Sequence, residues 1–152
     1  MDDELNPQHY QTDAGIEAIE VIERYGLGLH MGTSFKYVSR LDRKHPGRKV
    51  IELGKSMWYV DRWLGGQQDG RHGVELPSAS DDPESGICWR TPEQIADAFG
   101  LSGYEREAML DILEAAAFGD EIERITEARH WLEKAVEDAK SKSLPQAHAM
   151  SA

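Results

Sequence analysis

The chain has a single cysteine, Cys88, in 152 residues. An internal disulfide framework is therefore excluded, and such sparing use of thiols suits a reducing compartment. Long apolar runs are also missing: nothing approaches the ~20 residues needed to cross a bilayer, so no membrane span is expected. The opening Met1-Asp2-Asp3-Glu4 is acidic where an export leader is basic and then apolar, which predicts a cytoplasmic protein. Positive charge is in short supply, with 17 Lys+Arg against 28 Asp+Glu and a net of −11. That balance argues against a general nucleic-acid coat.

Several motifs fail on inspection. Six histidines are present, yet none falls in an HExxH or a paired Cys/His spacing, so no zinc site is expected. Gly54-Lys55-Ser56 looks like the end of a phosphate-binding P-loop, but Lys49 stands where that loop needs its first glycine. Gly26, Gly28 and Gly32 follow no apolar strand, which leaves a dinucleotide fold unsupported.

What is present reads as helix. Ile16, Ile19, Ile22 and Tyr25 predict a first helix over about 14–25, ended by Gly26 and Gly28. Met31, Phe35, Val38 and Leu41 predict a second over 30–43, broken by His45-Pro46-Gly47. Val50, Leu53, Met57, Val60 and Leu64 form the stripe of a third, which Gly65-Gly66 should terminate. Residues 65–90 hold five glycines and two prolines and read as a long loop, with a short strand at Val74–Leu76. Thr91-Pro92-Glu93-Gln94 carries an N-cap threonine, a proline at the first helical position and a capping-box glutamine. Helices at 103–118 and 120–141 follow, and the small polar tail beyond should fray.

The expected fold is all-α, a compact helical bundle without a parallel sheet. Its parts are a basic-faced unit over 1–66, the loop over 67–90, an acidic helical unit over 91–141 packed on the first, and the tail 142–152. Trp58, Trp63 and Trp131 are expected in the core, since aromatics at helical spacing usually bury area. Ile95 to Ser102 resembles the start of a helix-turn-helix. The following helix, however, carries Glu105, Glu107, Asp111 and Glu114, which phosphates would repel, so a hairpin built for packing is expected. Trp58–Arg62 aligns loosely with His130–Lys134, but so short a match on amphipathic helices arises easily by chance.

Charge is unevenly spread. Residues 1–66 net −1 and residues 67–152 net −10, while 30–62 holds eight cations against three carboxylates. Lys36, Arg40 and Arg43 recur at helical spacing, as do Glu52, Lys55, Tyr59 and Arg62. If these two helices form a hairpin, their polar faces converge on a cleft suited to a polyphosphate with magnesium. A ladder of exposed ion pairs, each worth roughly 0–1 kcal/mol, is the other reading of the same spacing.

Four blocks carry a resemblance: Asn6–Tyr10, Gly15–Glu23, Gly32–Arg40 with its KYxxR, and Glu52–Arg62 with its KxxWYxDR. Together they resemble a family of phage nucleotide kinases that lack a P-loop, over residues 6–64. The resemblance implies phosphoryl transfer from ATP or another nucleoside triphosphate to a deoxynucleoside monophosphate, dTMP or dGMP, with Mg2+, in an infected host's cytoplasm. It implies Lys36, Arg40 and Lys55 on phosphates and Arg62 on the transferred group or the acceptor phosphate. Glu52 would position magnesium, with Glu17 or Asp61 as alternatives. Asn6, His9, Tyr10, Thr33, Ser34, Arg43 and Tyr59 would bind substrate; Thr33 and Ser34 stand where the family carries Asn-Ala, so substrate choice can differ here. His9 and Tyr10 read equally as an N-terminal arm pinned to the helices.

Two other functions fit the composition. An all-α nucleotide pyrophosphohydrolase would hold magnesium through a helical cluster such as Glu17, Glu20 and Glu23. A non-catalytic phage protein would bind nucleotide or a host partner. Apolar faces such as Met57 and Trp63 predict a closed homo-oligomer.

Overall fold

The computed structural model describes residues 15–41, 48–69 and 89–143, and the described residues are helical with no sheet. Six helices follow in order: α1 (Ala18–Tyr25), α2 (Gly28–Ser39), α3 (Lys49–Asp69), α4 (Pro92–Ala98), α5 (Gly103–Phe118) and α6 (Glu121–Ser143). The bundle is all-α, as expected. The candidate strand at Val74–Leu76, most of the 65–90 loop and the tail beyond Ser143 lie outside the described residues.

Local chemistry sets the helix ends. Gly15 has φ +78, a left-handed conformation that bars helix, so α1 starts at Ala18 rather than near residue 14. At its far end Gly26 adopts φ 64, and the Gly26 and Leu27 amides reach back to the Glu23 and Ile22 carbonyls. The same closure recurs after α4, where Gly100 and Leu101 donate to the Asp97 and Ala96 carbonyls. Both are Schellman turns, which need a residue free to take positive φ. The capping box at α4 forms as predicted: the Gln94 amide donates to Thr91 Oγ1 at 3.2 Å and the Thr91 amide donates to Gln94 Oε1 at 2.9 Å.

Two further predicted boundaries are corrected. α2 stops at Ser39 rather than 43, because Arg40 leaves helical dihedrals (φ −110, ψ 14) and turns its side chain into the seam with α3. Gly65-Gly66 does not end α3, which runs on to Asp69. Gly66 is buried and Trp63 just before it is wholly buried, so packing holds the helix through a pair that would break a solvated one.

The helices pair as two antiparallel hairpins, α2–α3 and α5–α6, with α1 and α4 each lying on the helix that follows it. α3 packs on both α2 and α6, and α5 also touches α1 and α2, so the hairpins share one core. Tyr25, Phe35, Leu53, Val60 and Trp63 from the first half meet Ile95, Met109, Ile112, Ile125 and Leu132 from the second. Each such side chain stabilises by roughly 1.5–3 kcal/mol on burial. The halves are also joined by the Tyr25 hydroxyl, which donates to the Arg90 carbonyl at 2.6 Å, and by the Phe35–Phe99 edge contact at 5.8 Å.

Spacing on the long helices matches across the halves. Leu53, Ser56, Val60 and Trp63 are buried on α3, and Ile125, Ala128, Leu132 and Ala135 repeat the same three-four-three intervals on α6. The core tryptophans divide differently from expectation: Trp63 is buried and Trp131 partly so, but Trp58 is 59% exposed. Met57 packs on the core as well, so the Met57/Trp63 face from which a homo-oligomer was expected is covered within the chain. No helix among the described residues is long and apolar enough to cross a membrane.

Candidate functional site

The α2–α3 hairpin brings cations, a carboxylate and aromatic rings together. Arg40 leaves the end of α2 and sits 6% exposed, its Nε 3.4 Å from Glu52 Oε1. Glu52, on the first turn of α3, is 3% exposed, and its other oxygen lies 3.6 Å from Lys55 Nζ. Lys55 is half-exposed and offers its ammonium to solvent as well as to Glu52. Both cations also lie against Tyr37, with the Arg40 guanidinium 4.7 Å and the Lys55 ammonium 5.6 Å from its ring centroid.

The rings continue from Tyr37. It stacks on Tyr59 (6.3 Å, 25°), which meets His30 and Trp58 edge-on at 6.5 and 5.0 Å. On α2, His30 and Tyr37 are seven residues apart and so share a helix face. Beneath this cluster the hairpin is pinned by the Ser34 and Ser56 hydroxyls, 2.6 Å apart and wholly buried.

Of the residues predicted for a site, Arg40, Glu52, Lys55 and Tyr59 converge here. Lys36 lies partly buried one turn before Arg40 on α2. Ser34 is taken up by the seam, and the Thr33 hydroxyl donates to the Leu29 carbonyl of its own helix. Asp61 lies farther along α3, where it accepts from Arg129 Nε of α6. Arg62, exposed, borders a hollow with Trp58, Asp61 and Gly65. Glu17 is the N-cap of α1, without a side-chain cap bond. Asn6, His9, Tyr10 and Arg43 lie outside the described residues. Pattern reading passed over Tyr37 and His30; the available signal was Tyr37 inside KYxxR, three residues from Arg40.

Among the described residues, the carboxylates at this face do not form a set that would hold magnesium on their own. Both Glu52 oxygens face cations, Asp61 faces Arg129, and no group of three potential ligands stands together among the described residues. The same holds for Glu17, Glu20 and Glu23, of which Glu20 pairs with Arg24. Cations beside rings instead suit an anionic aromatic ligand.

The α5–α6 hairpin carries the opposite charge. Asp111 is pushed up to about 7, chiefly by burial and then by Glu127, Glu114 and Glu107, with Arg124 opposing. Glu114 is raised by burial too, even though it accepts from Arg124 Nη1 at 3.1 Å.

A family model described as a protein of unknown function (DUF3310) matches residues 5–61. No curated protein and no solved structure matches the chain. The matched stretch holds α1, α2 and the part of α3 that bears Glu52, Lys55 and Tyr59, and thus the whole cation–aromatic face.

Proposed function

We propose that the α2–α3 face binds a nucleoside triphosphate and that the chain is a nucleotide kinase, passing the terminal phosphoryl group to a deoxynucleoside monophosphate. The reading rests on one observation: Arg40, Glu52 and Lys55 gather around the stacked rings of Tyr37 and Tyr59. A base–aromatic stack contributes about 1–3 kcal/mol without demanding a particular base. Lysine and arginine spread the charge of the phosphates, which is where phosphoryl transfer needs stabilisation. The resemblance in the first 64 residues points to the same chemistry.

The attacking oxygen of a monophosphate is already anionic, so the protein need not supply a strong base. Its task is alignment and neutralisation of charge. Arg40 is held rigidly by Glu52 and Tyr37 and orients the phosphate chain, while Lys55, less confined, follows the group in flight. Lys36 adds charge along α2. Magnesium in such reactions is bound largely by the substrate's phosphates, which asks little of the protein's carboxylates.

The test is product chromatography after incubating the chain with ATP, magnesium and dTMP or dGMP. A kinase yields the deoxynucleoside diphosphate and ADP. Lys55→Ala, at a half-exposed side chain, should cut turnover roughly a hundredfold with melting unchanged. Release of pyrophosphate without an acceptor, or tight binding without turnover, would refute the kinase reading.

A further inference from the structure

We infer that the groove between α3 and α6 seats the acceptor monophosphate, next to the triphosphate face and separate from it. The inference rests on the kinase reading above, since such an enzyme must hold two nucleotides at once. Two hollows make up the groove. One, of about 400 Å³, lies between Leu64 and Gly65 of α3 and Ile122 and Thr126 of α6. The other, of about 260 Å³, is bordered by Trp58 and Arg62. Asp61 and Gly65 line both, so the hollows adjoin. The larger falls in the range of small-molecule sites, and the smaller extends it toward Trp58 and Arg62.

Charge favours an anionic occupant. Asp61 and Glu133 are both engaged by Arg129, and no described residue forms an ion pair with Arg62. Arg62 is thus the charge left to meet a phosphate at the mouth. Trp58, 59% exposed, offers the ring for a base. Its edge contact with Tyr59 ties the groove to the triphosphate face, so the two nucleotides would meet across α3.

Gly65 gives independent support. Glycine inside a helix costs about 1 kcal/mol relative to alanine. At Gly65 an added Cβ would meet nothing within 4 Å, so close packing does not call for glycine. What the missing side chain preserves is the open floor shared by both hollows.

Calorimetry on the full chain, titrated separately with dTMP, dGMP and a non-hydrolysable ATP analogue, tests the idea. Gly65→Leu should fill the groove and Arg62→Gln should remove its charge. Each is expected to weaken monophosphate binding roughly tenfold or more while leaving the ATP analogue unaffected. If Gly65→Leu disturbs the melting curve, Arg62→Gln alone decides. Monophosphate affinity within about twofold of wild type, or equal loss of both nucleotides, would overturn the groove assignment and leave the kinase reading standing. A wild-type chain that binds neither nucleotide removes the kinase reading, and the acceptor seat with it.

Discussion

The two hairpins share a plan and differ in what they bury. In α5–α6 the seam is aliphatic and small: Ala108, Ile112 and Ala115 against Ile125, Ala128 and Leu132. In α2–α3 the matching long helix buries Glu52 and Ser56, and the partner brings Ser34 and Arg40. A buried ion pair seldom stabilises more than hydrophobic side chains of the same volume, and the sister hairpin keeps its own pair, Glu114–Arg124, only partly buried. Retaining the ions therefore points away from folding and toward ligand binding. The basic face and the acidic face separate along the same division.

Substitutions at the ion pair should give the largest effect and could break the comparison. Arg40→Ala leaves the buried Glu52 with Lys55 alone and should cost about 3–5 kcal/mol, read from denaturant melts. The double change Arg40→Met with Glu52→Leu should recover most or all of that stability while abolishing nucleotide binding. If the double variant stays as unstable as the single one, the ions are structural and the contrast between hairpins fails. Leu132→Ala, in the aliphatic seam, should cost about 2–5 kcal/mol and leave the affinity of the remaining folded protein unchanged. At the helix starts, Thr91→Ala should cost ~1 kcal/mol by removing the α4 cap. Glu17→Ala, at an N-cap that makes no side-chain bond, should stay within about 0.5 kcal/mol of wild type.

The smallest expected effect is one of pH. Folding raises Asp111 above its ordinary value to about 7, so the native chain holds a proton there that the unfolded chain has released. Stability should accordingly fall as pH rises from about 4 to about 7. Asp111→Asn removes the Asp111 share of that slope, leaving the part due to Glu114, and should gain about 1 kcal/mol or less at pH 8, a modest figure because solvent screens the half-exposed group. Melts of both proteins at pH 5 and pH 8 provide the check. A wild-type curve unchanged between those two pH values would mean that burial, with Glu127, Glu114 and Glu107 beside it, does not hold the proton on Asp111.

Much of the fold was legible because helices announce themselves by period and by punctuation. The capping box at Thr91 and the span of α5 follow directly from the residues, and the stripe through Leu53 and Val60 names the right face of α3. Errors arose where α3 is packed from two sides. A helix held between α2 and α6 buries a wider arc than one stripe, so Glu52 went inside while Trp58, a single position before Tyr59, stayed out. The glycine pair at Gly65-Gly66 misled for a related reason: breaker propensity describes a solvated helix, and this one is clamped. At the candidate site, spacing brought Arg40, Glu52 and Lys55 to one hairpin but could not say which would be buried. Nor could it place Asp61 against Arg129, a contact between residues 68 apart in sequence.

The family match stops at residue 61, inside α3, while the core continues through Val60 and Trp63 into Ile125 and Leu132. A fragment cut at that boundary would leave Leu27, Phe35 and Leu53 bare to water on the side that α5 and α6 now cover. The matched stretch is thus one side of a core, and in this chain the helices after residue 61 close it.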